Sequence, residues 1–180
     1  MKKTLNILII IFSFAFGVFF FAFLYFNVNY PLFYRNEIES YSKQAGVDSA
    51  LIFAIAKTES SFNEKAKSSA GAIGIMQIKE ETAQFVCSFS GEEFSSEKLL
   101  EADYNIKLGT IYFKYLLDKF KSVDLALAAY NAGEGNVSRW LQDEKYSKDG
   151  KTLKVIPFPE TNDYVVKSLK NYKVYKILVK

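Results

Sequence analysis

Between Leu5 and Phe26 the chain runs for 22 residues with only Asn6, Ser13 and Gly17 interrupting the apolar side chains, and with no charge. As a helix rising about 1.5 Å per residue, such a run spans a hydrocarbon layer of about 30 Å. A cleavable export signal has an apolar core of about 7–15 residues and ends in small residues, whereas this run ends in Phe23, Leu24, Tyr25 and Phe26. The expectation is an uncleaved signal anchor, with secretion after cleavage as the alternative. Lys2 and Lys3 precede the run with no acid beside them, which keeps residues 1–4 in the cytoplasm and exports the chain beyond the span. Residues 5–26 are read as a single transmembrane span in the cytoplasmic membrane. Residues 27–36, with Pro31 and several aromatics but no helical periodicity, are read as a juxtamembrane connector. Residues 37–180 form the extracytoplasmic domain.

That domain has a restricted choice of chemistry. The 180-residue chain has no histidine and one cysteine, Cys87. Nucleophile–histidine pairs, imidazole bases, HExxH zinc sites, cysteine-clustered metals and internal disulfides are all excluded, so acid–base work falls to carboxylates, tyrosine or lysine. Cys87 itself is expected to be a small buried hydrophobe, with a reactive thiol as the alternative. Lys and Arg number 23 against 20 acids, and the first 30 residues hold two of those lysines and no acid. The exported domain is thus one charge from neutral and poorly suited to nucleic acid. Its length suffices for one hydrophobic core.

The patterning predicts helices almost throughout. Glu37 to Gln44 reads as a short helix stopped by Gly46, and Asp48 then caps a helix that is apolar on every side from Ala50 to Ala56, the mark of a buried element. A helix is expected from about Lys79–Glu81 toward Cys87. Leu99 to Phe120 reads as a long amphipathic helix, in which Gly109 implies close packing. Ser122 or Asp124 opens an apolar helix over Leu125–Tyr130 that Gly133 can end in a left-handed conformation, and Asn136–Leu141 comes next as a short helix. Lys148-Asp149-Gly150-Lys151 carries a tight-turn signal between short runs that can pair as a small β-hairpin. After Pro157 and Pro159 a last helix is expected, with acids in its first turn and Val165, Val166, Leu169 and Tyr172 on its inner side.

Glu59 stands out among the carboxylates because it closes the most buried helix. Desolvation and the negative end of the helix dipole both disfavour its charged form, so its pKa should rise toward neutral, as suits a general acid. The competing reading is a solvated glutamate at a helix end.

The company of Glu59 favours the first reading. The run Glu59-Ser60-Ser61-Phe62-Asn63, then Ser68-Ser69-Ala70-Gly71-Ala72-Ile73-Gly74-Ile75-Met76-Gln77, then Thr82-Ala83, resembles the soluble lytic transglycosylase family. Asn105-Ile106-Lys107-Leu108-Gly109, Ala128-Ala129-Tyr130-Asn131-Ala132-Gly133 and Pro157-Phe158-Pro159-Glu160-Thr161 with Tyr164-Val165 are similar to its further motifs, in the same order. The likeness covers roughly residues 37–170. It implies an all-α, goose-type lysozyme-like catalytic domain that cuts the bond between N-acetylmuramic acid and N-acetylglucosamine in peptidoglycan and leaves a 1,6-anhydro product. No cofactor or metal is implied.

By this resemblance Glu59 is the catalytic acid and base, and Tyr130 the tyrosine whose hydroxyl approaches it, against the alternative of a core aromatic. Ser68, Gly74, Met76 and Gln77 correspond to the glycan-groove segment. Glycine lets a sugar ring come close, Met76 offers a soft apolar surface, and Gln77 has both donor and acceptor for an acetamido group. The alternatives are a turn role for Ser68, a core role for Met76 and a solvated surface role for Gln77. Asn131, Glu160 and Tyr164 are further substrate contacts by resemblance, with turn, helix-cap and core roles as alternatives. Asn162 stands where the family often has arginine, so an ion pair that would support the groove is missing. Trp140 is expected to be core, with stacking on a sugar as the alternative. Two other functions share this reading of the residues: a lysozyme-type muramidase in which water attacks C1, and a non-catalytic wall-binding scaffold. Partner proteins of a cell-wall or secretion complex are compatible with each.

Overall fold

The computed structural model describes residues 2–180 and, within them, all side chains except those of residues 2–5 and 7–10. Met1 and the side chains of Lys2 and Lys3, on which the orientation argument rests, lie outside the described residues. The chain divides after Phe33 into two units. The first is α1 (Lys2–Asn29), long and apolar enough to cross a membrane over Ile11–Asn29. Phe12, Phe14, Phe19 and Phe21 are each more than two-thirds exposed on it, a surface suited to hydrocarbon rather than to water. The helix continues to Asn29, beyond the expected end of the span. The amides of Asn27 and Asn29 donate to the carbonyls of Phe23 and Tyr25 one turn back, so these polar residues extend the helix.

The second unit, residues 34–180, is all-helical. Its elements are α2 (Arg35–Ala45), α3 (Ser49–Glu59), α4 (Glu80–Ser90), a 3-10 turn Glu97–Leu100, α5 (Ala102–Phe120), α6 (Val123–Ala132), α7 (Glu134–Gln142) and α8 (Pro159–Leu178). Asp48 accepts from the Ala50 amide at 3.0 Å and starts α3, whose residues 50–56 are all buried. Ser122 opens α6, and Leu125–Ala129 are buried in the same way. These two apolar helices form the middle of the core, with α5 and α8 packed around them.

Several sequence expectations are corrected. The helix expected over Leu99–Phe120 is broken at Glu101, which is extended, because the Leu99 carbonyl turns aside to accept from the Asn105 amide at 2.8 Å. Gly133 has φ 88° and ψ 142°, a glycine-only conformation but not the left-handed helical one, and it joins α6 directly to α7. No hairpin forms at residues 148–151. Asp149 instead accepts from the amides of Lys151 and Thr152, folding the segment on its own carboxylate. Among the described residues the only β-pairing is two isolated bridges, Lys67–Ile73 and Ile73–Ile78. On α8 the inner side is Thr161, Tyr164, Val165, Ser168, Asn171 and Tyr175, while Val166 is 60% exposed. That inner side is polar because it closes on Thr58 of α3, whose Oγ1 accepts from Ser168 at 3.2 Å and from Asn171 at 3.0 Å. Trp140 is buried, edge-on to Phe158 at 4.9 Å. Cys87 is half-buried and meets the Tyr104 hydroxyl at 3.7 Å, so it is not the buried hydrophobe expected.

Candidate active site

After Glu59 the backbone reverses sharply. Ser61 and Phe62 both take positive φ, 53° and 68°, conformations that side chains adopt only under outside constraint. The constraint is visible on both sides of the turn. Ser60 Oγ donates to the Ile75 carbonyl at 2.7 Å, and Phe62 is buried against Phe53 and Tyr175. The turn leaves the Glu59 side chain in the wall of a groove of about 430 Å³. Burial pushes the Glu59 carboxyl up to about 7, in spite of Tyr164 and the Lys167 ammonium, which both pull it down. The rise predicted from its place in the sequence is therefore present, with desolvation as the first cause.

The opposite wall is the loop between α3 and α4. Asn105, fully buried on α5, holds it: Oδ1 accepts from the Met76 amide at 2.8 Å, and Nδ2 donates to the carbonyls of Ile73 at 2.9 Å and Leu99. Every polar atom of that side chain is used, so the loop is fixed to the core. Gly74, at φ 79°, lies against this amide, and an added Cβ would come within 2.6 Å of the Leu99 carbonyl oxygen. Its lack of a side chain is required by this packing. Met76 is likewise fully buried, and a Cβ on Gly109 would lie 2.5 Å from its sulfur. Both therefore support the groove from beneath and are corrected from substrate contacts to core.

The groove itself is lined by Glu59, Ser68, Gln77, Tyr130, Asn131 and Glu160, together with Thr82 and Tyr112. The Tyr130 hydroxyl donates to the Met76 carbonyl at 2.8 Å. Burial, and then the Glu59 charge, hold that phenol protonated far above neutral pH. Gln77 donates to the carbonyls of Gly74 at 2.9 Å and Ala66 at 3.2 Å, which commits both amide protons and leaves its acceptor for a ligand. Ser68 Oγ accepts from the Ala72 amide, and Asn131 Oδ1 accepts from Thr161 at 2.7 Å. Glu160 is exposed at the start of α8. Tyr164 is buried beside Glu59 and does not line the groove; its hydroxyl faces the Glu59 carboxyl and Ser168. Thr82 and Tyr112 do not stand out in the sequence as groove residues, because each sits on a helix as an ordinary polar or aromatic member of an amphipathic pattern; Asn105, visible in the sequence only as part of a motif, supports the groove from beneath. Among the described residues no three histidine, cysteine or acidic side chains are gathered as a metal site.

Residues 36–153 match the model of the transglycosylase SLT domain. The chain belongs to this family. It is 37% identical over 150 residues to a soluble lytic murein transglycosylase of Salmonella typhimurium, an alignment covering 81% of this chain and 23% of that protein. To a membrane-bound lytic murein transglycosylase C of Edwardsiella ictaluri it is 33% identical over 123 residues, covering 62% of this chain and 34% of the other. Among solved structures it superposes with TM-score 0.76 and 32% identity on an inactive glutamate-to-glutamine mutant of the lytic transglycosylase Slt of Pseudomonas aeruginosa, covering 86% of this chain and 25% of that one. The chain thus spans about a quarter of the length of its soluble relatives. The SLT match takes in α2 to α7. α8 lies beyond the match, yet its Thr161, Tyr164 and Lys167 all act on the groove.

Proposed function

We propose that this chain is a membrane-anchored lytic transglycosylase that cleaves the β-1,4 bond between N-acetylmuramic acid and N-acetylglucosamine in peptidoglycan and leaves 1,6-anhydro-muramic acid ends. The observation that carries the proposal is Glu59 in the groove wall, buried so that its carboxyl is pushed up to about 7. Near neutral pH that carboxyl is substantially protonated and can give its proton to the glycosidic oxygen as the C1–O bond breaks. The carboxylate so formed takes the proton of the muramic acid 6-hydroxyl as O6 attacks C1, which closes the anhydro ring and restores the acid. One group serves both steps, and the inactivity of the Pseudomonas neighbour once a single glutamate becomes glutamine supports a mechanism that hangs on one carboxyl. Tyr130 and Gln77 are proposed to position Glu59 and the sugar; Ser68, Asn131 and Glu160 are proposed as contacts along the strand.

Glu160 on the same groove gives the hydrolase its own supporting observation, since two-carboxylate enzymes activate water with the second acid. Mass spectrometry of a digest of purified peptidoglycan separates the two. Products lighter by one water than reducing-end muropeptides are expected; reducing ends throughout would mean hydrolysis. Glu59→Gln is expected to keep strand binding and lose nearly all product. Absence of product from the unaltered chain would leave a wall-binding scaffold.

A further inference from the structure

Phe85 and Phe89, one turn apart on α4, are 40% and 49% exposed. Such aromatic area in water gives the fold little and marks a contact surface. The rings are ordered among neighbours. Phe85 lies 5.3 Å from Phe89 and 5.2 Å from Tyr115; Tyr115 stacks on Tyr112 at 6.4 Å and 14°; and Tyr112 lies 5.5 Å from Tyr130. An unbroken aromatic track thus leads from the Glu59 groove to the outside of α4. Beside it a second recess of about 210 Å³ is lined by Glu81, Thr82, Phe85, Tyr112 and Glu134, and two of these, Thr82 and Tyr112, also line the main groove. Glu81, Phe85 and Phe89 succeed one another at four-residue spacing on a single face of α4. Glu134 is held in place by Lys119 at 2.8 Å.

An aromatic floor with carboxylates at the edge fits a saccharide. The C–H face of a pyranose lies on a ring, while hydroxyl and acetamido N–H groups donate to the acids. The recess is continuous with the groove that holds Glu59, since Thr82 and Tyr112 line both. A polymer substrate also continues past the bond being cut, and contacts to its remote units contribute to catalysis at the reacting centre. We propose that the shelf of Phe85, Phe89 and Tyr115, with the adjoining recess, is a glycan subsite that holds the sugars next beyond those in the Glu59 groove. The proposal rests on the peptidoglycan reading above.

The test uses the full chain in detergent, carrying Glu59→Gln so that nothing is cut, titrated with peptide-free glycan strands of four and of eight sugars. With the shelf intact the longer strand should bind about tenfold tighter, as ring stacking at two aromatics would give. Adding Phe85→Ala and Phe89→Ala should bring the two affinities within about twofold, and Phe85→Trp with Phe89→Trp should keep the gain. Equal affinities with the shelf intact, a gain that survives the alanine pair, or its loss in the tryptophan pair overturns the subsite. Failure to bind either strand, together with no cutting by the chain that retains Glu59, overturns the subsite and the peptidoglycan reading together.

Discussion

Burial holds the Glu59 carboxyl at about 7, against 4.5 for an unperturbed glutamate, and the difference links stability to pH. Between those values the folded chain keeps a proton that the unfolded chain releases. Folding is therefore favoured least above the folded pKa, and stability falls as pH rises from about 4.5 to 7, by about 3 kcal/mol in all. Below the unfolded pKa the penalty is absent. Glu59→Gln does not titrate, so its stability relative to the unaltered chain should grow by about that amount between pH 4 and pH 8, read from denaturant midpoints. A constant difference would contradict the raised pKa. The cutting rate should decline above about pH 7, where the acid is lost. Tyr130 acts differently, because its hydroxyl donates a hydrogen bond to the Met76 carbonyl. That hydroxyl is also near enough to feel the Glu59 charge. Tyr130→Phe should lower kcat by about 10–100-fold with little change in KM, and should cost about 1–3 kcal/mol of stability by leaving that carbonyl unpaired.

The helices hold the groove open through contacts between small and large residues. The clearest is Gly109 of α5 beneath Met76, where a methyl group would meet the methionine sulfur at 2.5 Å. Gly109→Ala is expected to destabilise the domain by about 1–3 kcal/mol through overpacking, and to slow cutting because the displaced Met76 carries the carbonyl that orients Tyr130. Shortening the partner with Met76→Val should recover part of the loss, so that a double-mutant cycle on thermal unfolding gives a coupling of about 1 kcal/mol or more. Strict additivity would show that the two residues do not press on each other. The packing of Gly109 could be anticipated from a glycine inside an amphipathic helix. Its partner could not, since Met76 lies in an irregular loop whose side-chain directions obey no period.

For the whole molecule, α1 and the helical domain are separate units joined at Phe33–Tyr34, and the proposed anchor makes a direct prediction. The protein should fractionate with membranes, and protease added to the outer face should remove the domain from about Tyr34 onward; a soluble, trimmed form as the main species would replace anchoring with secretion. The apolar stretch of α1, the two buried helices α3 and α6, and the place of Glu59 at the end of the more buried one are all written in consecutive residues. Apolar patterning reports directly which part of a single helix leaves water. Tertiary structure alone decided that Met76 and Gly74 face inward, that Tyr164 stands beside Glu59 instead of in the groove, that the inner side of α8 is polar, and that Phe85 and Phe89 line up with Tyr115. Each of these depends on which distant residue arrives opposite. The Asn105 side chain meets Met76 across 29 positions of sequence and Tyr130 meets it across 54. Local periodicity carries no information about such meetings, because they are fixed by how helices pack and which polar groups must be satisfied once buried.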